Sequence, residues 1–356
     1  MWEAVPGTTF RDARTRVRHL AVSRRTGVAY DPLVELDLIA RIAARLAVRP
    51  GVAVGIGDDA AVLDTDPPLV ISTDMLVEGQ HFRRDWTSDV DLGHKALAVN
   101  LSDLAAMGAR PILATVALGI PSDGTASDGA IERLYDGMEA LASEHGLTIA
   151  GGDITGAPCL VISVTVIGQM ELGHRPLLRS GAVPGDVICV TGSLGAARAG
   201  LMILDEPNLR PVQDVADALT LAHRRPTPRI AAGRVLAAVG ARAAMDISDG
   251  LALDADRMAR ASGVRIRINL DQLPLADGVA VVANAVRIDA DLLAATAGDD
   301  YELVFAAPES MLASIRSLVD VPVTAVGRVE VGPPGVVLKR NGTTIVPASL
   351  GWEHAL

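Results

Sequence analysis

The spacing of apolar residues predicts alternating helices and strands from about residue 35 onward. In residues 35–46 an aliphatic side chain recurs at every fourth position, which is typical of an amphipathic helix. Two short apolar runs, 51–54 and 69–72, predict strands, and Asp59 and Asp74 follow them closely. Because open α/β sheets bind ligands where strands end, we expect both aspartates to lie in loops at a binding site.

The segment 92–107 predicts a longer helix. Asp91 is the expected N-cap, and Gly108 is the expected end, because glycine readily adopts the backbone conformation that stops a helix. Asn100 and Asp103 are three residues apart and therefore share one face of this helix. We expect that face to point toward the acidic loops.

The pattern then continues and breaks once. Four more elements precede the break: a strand at 112–118, a helix at 131–141, a strand at 147–153 that ends on Gly-Gly-Asp, and a strand at 160–169. Gly, Pro and Arg interrupt the pattern between 171 and 184. This break predicts an N-terminal domain at 35–172 and a C-terminal domain at 173–356, preceded by an Arg-rich tail at 1–34 that we expect to be disordered.

Composition favours an α/β protein of the reducing cytoplasm. Hydrophobic residues make up 49% of the 356 residues but aromatic residues only 3%, so small aliphatic side chains must build the core. The net charge of −11 argues against a nucleic-acid or anionic-membrane partner, which requires Lys and Arg to neutralise phosphates. No apolar run reaches the ~18 residues of a membrane span, and residues 1–34 lack the hydrophobic segment of a secretory signal. Cys159 and Cys189 lie in apolar runs, as buried reduced thiols do.

Three aspartates stand out because no cation of the chain lies close to them in sequence. Asp59, Asp74 and Asp103 are surrounded by aliphatic residues, Gly, Ser and Thr. If they converge, two carboxylates ~4 Å apart repel by ~4 kcal/mol at an effective dielectric constant of ~20. A domain is stable by only ~5–15 kcal/mol, so we expect a bound cation alone to hold the carboxylates together. Mg²⁺ is the natural candidate, since it takes carboxylate and phosphate oxygens as ligands.

Common nucleotide, zinc and esterase motifs are absent from the sequence. It contains no Gly-x-x-x-x-Gly-Lys-Ser/Thr, His-Glu-x-x-His, Gly-x-Ser-x-Gly or Cys-x-x-Cys segment. The second half instead adds acidic turns with Asp246, Asp249 and Asp299, of which Asp249 and Asp299 are next to Gly or Ser. Each such turn taken alone is more often a plain turn than a ligand set. Glycine does let a backbone approach a phosphate closely, and a hydroxyl group adds an oxygen for a metal.

Taken in order, the acidic motifs resemble those of the thiamine-monophosphate kinase family. The matching segments are Gly-Ile-Gly-Asp-Asp at 55–59, Ser-Thr-Asp-Met-Leu-Val-Glu-Gly-Gln-His-Phe at 72–82, Asn-Leu-Ser-Asp-Leu-Ala-Ala-Met-Gly-Ala at 100–109, Gly-Gly-Asp at 151–153, Ile-Ser-Asp-Gly-Leu at 247–251 and Gly-Asp-Asp-Tyr-Glu-Leu at 298–303. The resemblance covers roughly residues 35–356.

The resemblance implies a two-domain fold of the aminoimidazole ribonucleotide synthetase-like type, in the α/β (α+β) class. The N-terminal mixed-sheet domain would dimerise, and a C-terminal α/β domain would form with it a cleft for ATP and several Mg²⁺ ions. The implied reaction is direct in-line phosphorylation of thiamine monophosphate to thiamine diphosphate, with ATP as co-substrate, in a cytoplasmic homodimer.

The resemblance also implies roles for individual residues. The implied metal ligands are Asp59, Ser72, Thr73, Asp74, Asp103, Asp153, Asp246 and Asp249. The implied ATP contacts are Gly152, Arg179 and Ser248, and the implied substrate contacts are His81, Asp299 and Trp352. No residue is assigned as a general acid or base, because the acceptor phosphate is already a nucleophile and needs positioning and charge neutralisation.

Residue type alone leaves alternatives at four of these positions. A lone His81 is more often a satisfied surface or core histidine than a ligand, and a terminal Trp352 more often packs against its neighbours. Arg179 is also suited to pairing with a surface carboxylate. Asp299 stands where the family often has glutamate, so its direct contact with the substrate is open.

Two other functions stay open at the level of sequence. One is another ATP-using reaction of the superfamily: purine-type cyclisation, selenophosphate synthesis or hydrogenase-maturation carbamoyl dehydration. Against these stand the lack of a cysteine before Cys159, the C-terminal Trp-Glu-His-Ala-Leu in place of a reactive cysteine, and the sequence of 72–82, where the purine enzyme has a different glycine-rich loop. The other is a partner protein that binds Mg²⁺–ATP without catalysis, against which the complete acidic set argues.

Overall fold

A computed structural model describes residues 50–121, 129–206, 208–209 and 211–352, which form two mixed β-sheets with helices packed on and between them. The predicted helix at 35–46 and the Arg-rich tail lie outside the described residues. One sheet ends at residue 169 and the other begins at residue 187. The predicted domain boundary at 172/173 falls between them and stays a prediction.

The first sheet has the strand order β1-β2-β3-β6-β4-β5, in which β4 and β5 pair in parallel and the other neighbours are antiparallel. Its strands are β1 (Val52–Val54), β2 (Ala61–Leu63), β3 (Leu69–Val77), β4 (Arg110–Pro121), β5 (Thr148–Ala157) and β6 (Val161–Gln169).

The second sheet has the order β13-β12-β9-β11-β7-β10-β8, with β9 and β12 parallel and the other neighbours antiparallel. Its strands are β7 (Val187–Thr191), β8 (Ala243–Asp246), β9 (Arg265–Asn269), β10 (Leu303–Ala307), β11 (Val323–Glu330), β12 (Gly335–Arg340) and β13 (Thr343–Ile345).

Nine α-helices lie within the described ranges, and none of them is long and apolar enough to cross a membrane. They are α1 (Asp89–Ala106), α2 (Ala130–His145), α3 (Ala196–Asp205), α4 (Gln213–Arg224), α5 (Ile230–Val239), α6 (Leu251–Ser262), α7 (Val279–Ala285), α8 (Ala290–Thr296) and α9 (Leu312–Leu318).

Helix α1 is the centre of the molecule, because it contacts the first sheet, the neighbouring helices α2 and α5, and strand β8 of the second sheet. Fourteen of its 18 residues are buried, so it is apolar on nearly every side. Glycines let its neighbours approach closely. A Cβ at Gly93 would collide with the carbonyl of Leu134 on α2, and a Cβ at Gly233 on α5 would collide with the carbonyl of Ala105.

Three predicted element ends are wrong, each for a physical reason. The N-cap of α1 is Ser88, not Asp91, because Ser88 has an extended backbone and its Oγ accepts the N–H of Asp91 at 3.1 Å. Strand β3 continues through Asp74 because it pairs with β6 over nine residues, so Asp74 lies within a strand and not in a loop. Strand β5 likewise continues through Asp153, since β4 pairs with it to residue 157.

The two cysteines are free thiols in this structure. Cys189 is buried in β7, as predicted, whereas Cys159 is only half-buried in the turn between β5 and β6. Burial raises the pKa of the Cys189 thiol to about 12 and keeps it uncharged.

Candidate metal and nucleotide site

Three aspartates from distant parts of the chain converge between the two sheets. Asp59 lies in the loop between β1 and β2, Asp103 lies on α1, and Asp246 ends β8. One carboxylate oxygen from each lies within 4.8 Å of the others. These residues, called the acidic cluster below, join the two sheets, because β1 and β2 belong to the first sheet and β8 to the second.

Burial and mutual repulsion disfavour the charged form of the acidic cluster. Burial, and then the charge of Asp246, raises the pKa of Asp103 well above its ordinary value. Burial, and then the charge of Asp59, does the same for Asp246. The same two influences raise the pKa of the adjacent Asp58 to about 6. A bound divalent cation reverses this balance, because it favours charged carboxylates.

One guanidinium group already offsets part of this charge. Arg179 Nε donates to Asp59 Oδ1 at 3.0 Å, and Arg179 Nη2 donates to the same oxygen at 2.5 Å. Burial by itself lowers the pKa of Arg179, but the charge and hydrogen bonds of Asp59, together with the charges of Asp58 and Asp246, outweigh burial, and the pKa rises. At Asp59 burial outweighs the arginine, and the pKa is raised. The expectation that a bound cation alone offsets the repulsion is therefore wrong, because an arginine 120 residues away in sequence also supplies positive charge at Asp59.

Helix α1 positions the acidic residues through two polar side chains. Asn100 Oδ1 accepts the backbone N–H of Asp74 at 2.9 Å, which fixes α1 against β3. Ser102 Oγ donates to Asp246 Oδ2 at 2.7 Å, and this hydrogen bond is fully buried. The prediction that one face of this helix points toward the acidic motifs is confirmed at Asn100. Ser102 adds a direct contact from the helix to the second sheet.

Four other predicted metal ligands differ in how they relate to the acidic cluster. Ser72 Oγ donates to Asp103 Oδ2 at 2.5 Å and so touches the cluster directly. Thr73 lies on the opposite face of β3, because strand side chains alternate, and its Oγ1 donates to the backbone of β6 at 3.1 Å. Asp74 is exposed on the same face of β3 as Ser72, and Asp153 is exposed on β5.

Asp249, the last predicted metal ligand, lies outside the acidic cluster and has its own cation. Arg257 Nη1 donates to Asp249 Oδ2 at 2.6 Å and to Asp254 Oδ1 at 2.9 Å. Asp254 is fully buried, and its Oδ2 accepts the N–H groups of Asp249 and Gly250, each at 3.1 Å. The first turn of α6 therefore fixes the loop that carries Asp249.

Two of the predicted ATP contacts are at places where backbones approach closely. A Cβ at Gly152 would collide with the carbonyl oxygen of Val116 on the adjacent strand β4, so a larger residue would separate β4 from β5. The carbonyl oxygen of Ser248 accepts the N–H of Asp299 at 2.8 Å. The same carbonyl would collide with a Cβ at Gly298. Glycine is needed at both close approaches.

The three predicted substrate contacts lie in three different segments. His81 follows β3, and its Nδ1 accepts the N–H of Val77 at 3.0 Å. Asp299 precedes β10 and is joined to Ser248 by the backbone hydrogen bond above. Trp352 is 45% exposed, and its N–H donates to the carbonyl of Asp249 at 2.8 Å. Asp299 and Trp352 are therefore both attached to the turn at 248–249.

Asp299 also has side-chain partners that sequence reasoning missed. Lys95 Nζ donates to Asp299 Oδ2 at 2.9 Å, and the Tyr301 hydroxyl donates to Oδ1 at 3.1 Å. His223 Nδ1 lies 3.4 Å from the same Oδ2 but makes no hydrogen bond there. Burial opposes charge on both the acid and the base. At Asp299, Lys95, His223 and Tyr301 together outweigh burial and lower the pKa to about 2, whereas burial and Lys95 together lower the pKa of His223 to about 3. His223 is therefore neutral, and the ion pair is Lys95–Asp299.

The loop around Asp299 has a strained backbone. Asp299 and Tyr301 have φ values of 70° and 50°, in the left-handed region that favours glycine. The backbone N–H of Tyr301 is held by the carbonyl of Ile247 at 2.9 Å. Strain of this kind costs ~1–3 kcal/mol per residue and persists where surrounding contacts over-determine the loop, as they do at many binding sites.

Lys95, Ser102 and Arg257 are site residues that the sequence reasoning did not identify. Lys95 offered a signal, since a lysine in a mostly apolar helix is rarely buried without a partner. Ser102 lies inside the motif that contains Asp103, but nothing in the sequence says which hydroxyl faces a carboxylate. Arg257 gives no signal, because charged residues on exposed helix faces are common.

The oxygen donors of the acidic cluster fit a hard divalent cation. Asp59 Oδ2 is buried and has no hydrogen-bond partner in the described part of the chain. The cluster consists of carboxylates, without Cys or His, and such a donor set suits Mg²⁺ better than Zn²⁺. Asp59, Asp103 and Asp246 are therefore the best-placed candidate metal ligands.

Both halves of the chain match known protein families. Residues 57–170 match the family described as AIR synthase related protein, N-terminal domain. Residues 183–339 match the family described as AIR synthase related protein, C-terminal domain.

The chain is similar to known kinases over nearly its whole length. It is 36% identical over 328 residues to the thiamine-monophosphate kinase of Bacillus subtilis (strain 168), covering 90% of this chain and 99% of the relative. It is 39% identical over 328 residues to that of Salmonella typhimurium (strain LT2), covering 90% and 98%. The solved structure described as AaThiL complexed with AMPPCP and TMP matches with a TM-score of 0.80 at 32% identity, over 92% of this chain and 99% of that one.

Proposed function

The chain belongs to the thiamine-monophosphate kinase family and phosphorylates thiamine monophosphate with ATP, and we propose that the transfer is direct, in line and located at the acidic cluster. The products of such a transfer are thiamine diphosphate and ADP. The observation that carries the proposal is the convergence of Asp59, Asp103 and Asp246 from both sheets within 4.8 Å.

The charges of the reactants explain why the site needs cations. ATP and the acceptor phosphate are both anions, and the chain has a net charge of −11. Bound Mg²⁺ would neutralise charge on the transferring phosphoryl group and fix its position. The acidic cluster would hold these ions. Further candidate ligands are Ser72, Thr73, Asp74, Asp153 and Asp249.

The chain's own residues would position the reactants. Arg179 presents a guanidinium fork, whose geometry matches phosphate oxygens, at the acidic cluster. Asp299 keeps its negative charge, since its pKa is lowered to about 2, and would suit the cationic ring of the thiamine moiety. The acceptor phosphate is already a nucleophile, so no side chain is required as a general base.

The first test is product formation by the Asp103→Asn variant. We expect kcat to fall roughly 100-fold or more, because the variant removes one charged ligand from the site where negative charge must be held. Chromatography would measure thiamine diphosphate formed from thiamine monophosphate at saturating Mg²⁺–ATP, and circular dichroism would check the fold. Asp85→Asn is the control, since Asp85 pairs with Arg83 on the surface.

Each outcome of this assay decides a separate question. Near-normal kcat in Asp103→Asn contradicts the role of the acidic cluster. A wild-type protein that binds ATP but forms no thiamine diphosphate contradicts the kinase function and favours a silent ATP-binding protein. Turnover of another superfamily substrate in its place favours that reaction.

Strand β5 is the surface on which we propose that two copies of the chain associate. It is the edge strand of the first sheet, eight of its ten residues are exposed, and Ile154 is 61% exposed. An exposed edge with apolar side chains favours pairing with another copy. Light scattering should give twice the chain mass of 36.9 kDa for the wild type and the single mass for Ile154→Lys. A monomeric wild type contradicts the proposal.

A further inference from the structure

Arg179 is hydrogen-bonded to Asp59, a carboxylate that would also be a ligand of the metal ion. Asp59 Oδ1 accepts both the Nε and the Nη2 hydrogens of Arg179, while Asp59 Oδ2 accepts none from the described residues. The side chain of Asp59 is 1% exposed and that of Arg179 is 22% exposed. An oxygen of this same Asp59 belongs to the group that lies within 4.8 Å. The guanidinium group of Arg179 and a divalent cation would therefore compete for the same buried carboxylate oxygens.

The backbone of Arg179 is fixed independently of its side chain. Its N–H donates to both carboxylate oxygens of Asp58 at 3.2 Å, and its carbonyl accepts the hydroxyl of Ser262 at 3.1 Å. The residue lies in the irregular segment between β6 and β7. The guanidinium group can therefore leave Asp59 by side-chain rotation, while the backbone stays in place.

Arg257 shows a different arrangement at the neighbouring carboxylate. It contacts Asp249 and also the fully buried Asp254, so its charge is needed in the interior whether or not a ligand is bound. The side-chain hydrogen bonds of Arg179 both end on Asp59. Of these two arginines, Arg179 is therefore the one that a divalent cation can replace at its carboxylate partner.

We propose that Arg179 is an exchangeable counter-ion: it competes with the divalent cation for Asp59 and moves onto the nucleotide phosphates when metal and nucleotide bind together. The proposal rests on the proposed function for the identity of the anionic ligand. Two positive groups on one carboxylate repel each other, so Arg179 weakens metal binding in the absence of nucleotide. Phosphate oxygens relieve that repulsion by accepting the guanidinium fork. Arg179 thereby couples metal binding to nucleotide binding.

The exchange predicts opposite effects of a single substitution on two ligands. Arg179→Gln should tighten the binding of Mn²⁺ alone by roughly tenfold, within the usual range of such couplings. The same variant should bind AMPPCP at saturating Mn²⁺ roughly tenfold more weakly, because it has lost a phosphate contact. Paramagnetic resonance of free Mn²⁺ would measure the first affinity and calorimetry the second. A purely structural arginine would weaken both.

Arg229 provides a matched control. It makes a two-pronged ion pair with Glu302, with side-chain exposures of 22% and 5%, close to those of Arg179 and Asp59. Arg229→Gln should leave Mn²⁺ affinity unchanged. Arg179→Lys keeps the charge and should stay nearer to the wild type in Mn²⁺ affinity than Arg179→Gln does. Arg179→Met, which keeps the side-chain length, serves as the neutral variant if Arg179→Gln does not fold.

Several results would overturn the exchange. One is Mn²⁺ binding that is unchanged or weaker in the neutral variant, and another is AMPPCP binding that is unchanged in it. The exchange is also contradicted if Arg229→Gln or Arg179→Lys tightens Mn²⁺ binding as much as the neutral Arg179 variant does. None of these results depends on turnover. A wild-type enzyme that forms thiamine diphosphate while the exchange fails would leave the proposed function standing and remove this inference alone.

Discussion

Lys95 carries a positive charge into the protein core, where we expect it to affect acceptor binding more than nucleotide binding. Its ammonium group holds Asp299, whereas Ser102 of the same helix holds the acidic cluster through Asp246. Lys95→Met keeps the side-chain length but leaves Asp299 without its ion-pair partner. We expect KM for thiamine monophosphate to change roughly tenfold, the equivalent of ~1.4 kcal/mol, with little change in KM for ATP. Initial rates measured against each substrate would show this.

Arg340→Gln is the control for the Lys95 prediction. Arg340 pairs with Asp289 and Asp291, two partly exposed carboxylates of the second half of the chain. Surface pairs of this kind contribute little, so neither KM should change. Equal changes of both KM values in Lys95→Met would mean that Lys95 supports the whole site and not the acceptor side.

His223 gives the protein a pH-dependent loss of stability. Burial lowers its folded-state pKa from 6.5 to about 3, so the folded protein excludes a proton that the unfolded chain takes up below pH 6.5. Stability therefore falls as the pH falls from 6.5 toward 3. His223→Gln should remove about 2 kcal/mol of the loss between pH 7 and pH 5. Urea unfolding of both proteins at the two pH values measures this, and an unchanged difference would contradict a neutral buried His223.

At the scale of residues, the sequence identified the acids better than the bases that accompany them. Asp59, Asp103 and Asp246 could be predicted because each lies in a short motif whose composition is visible locally. Arg179 was identified from the family motif but not as the partner of Asp59, from which it is 120 residues away. Lys95 and Asp299 are 204 residues apart. Pairings over such distances depend on tertiary packing, which local spacing does not report.

Helix α1 controls the distance between the two sheets, and this makes Gly233 a sensitive position. A Cβ there would collide with the carbonyl oxygen of Ala105, which forces α5 away from α1. We expect Gly233→Ala to lower the free energy of unfolding by about 1–3 kcal/mol, as overpacking does. Urea unfolding would measure the loss. Arg234 lies on the same helix and makes an exposed ion pair with Glu171. Arg234→Ala should therefore lower the free energy of unfolding much less, and an equal loss would contradict the packing argument.

At the scale of elements, periodicity predicted which segments are helices or strands but not where strands end. Strands β3 and β5 extend through Asp74 and Asp153, although polar residues and glycines there look like loop sequence. Pairing with β6 and β4 continues through these positions, and the side chains of Asp74 and Asp153 are themselves exposed, so their polarity does not end the strands. The N-cap of α1 could have been predicted, because Ser88 stands three residues before Asp91 in the usual capping pattern.

At the scale of the whole molecule, the acidic cluster also connects the two sheets. Ser102 and Asp246 connect α1 to β8, and Lys95 and Asp299 connect it to the loop before β10. A ligand that binds the cluster therefore contacts residues of both sheets at once. The free energy of ligand binding should then stabilise the two sheets together and not one of them.

This connection between the sheets predicts how metal and nucleotide change thermal unfolding. Ligands that bind the folded state alone stabilise it by ~2.7 kcal/mol at a free concentration ~100 times Kd. Calorimetry with Mg²⁺ and AMPPCP should show one transition at a higher midpoint, and chelation of the metal with EDTA should reverse the shift. Asp103→Asn should show a much smaller shift. An equal shift in that variant, or stabilisation of only one of two separate transitions, would mean that the ligand binds within one sheet and that the carboxylates from both sheets do not act as one site.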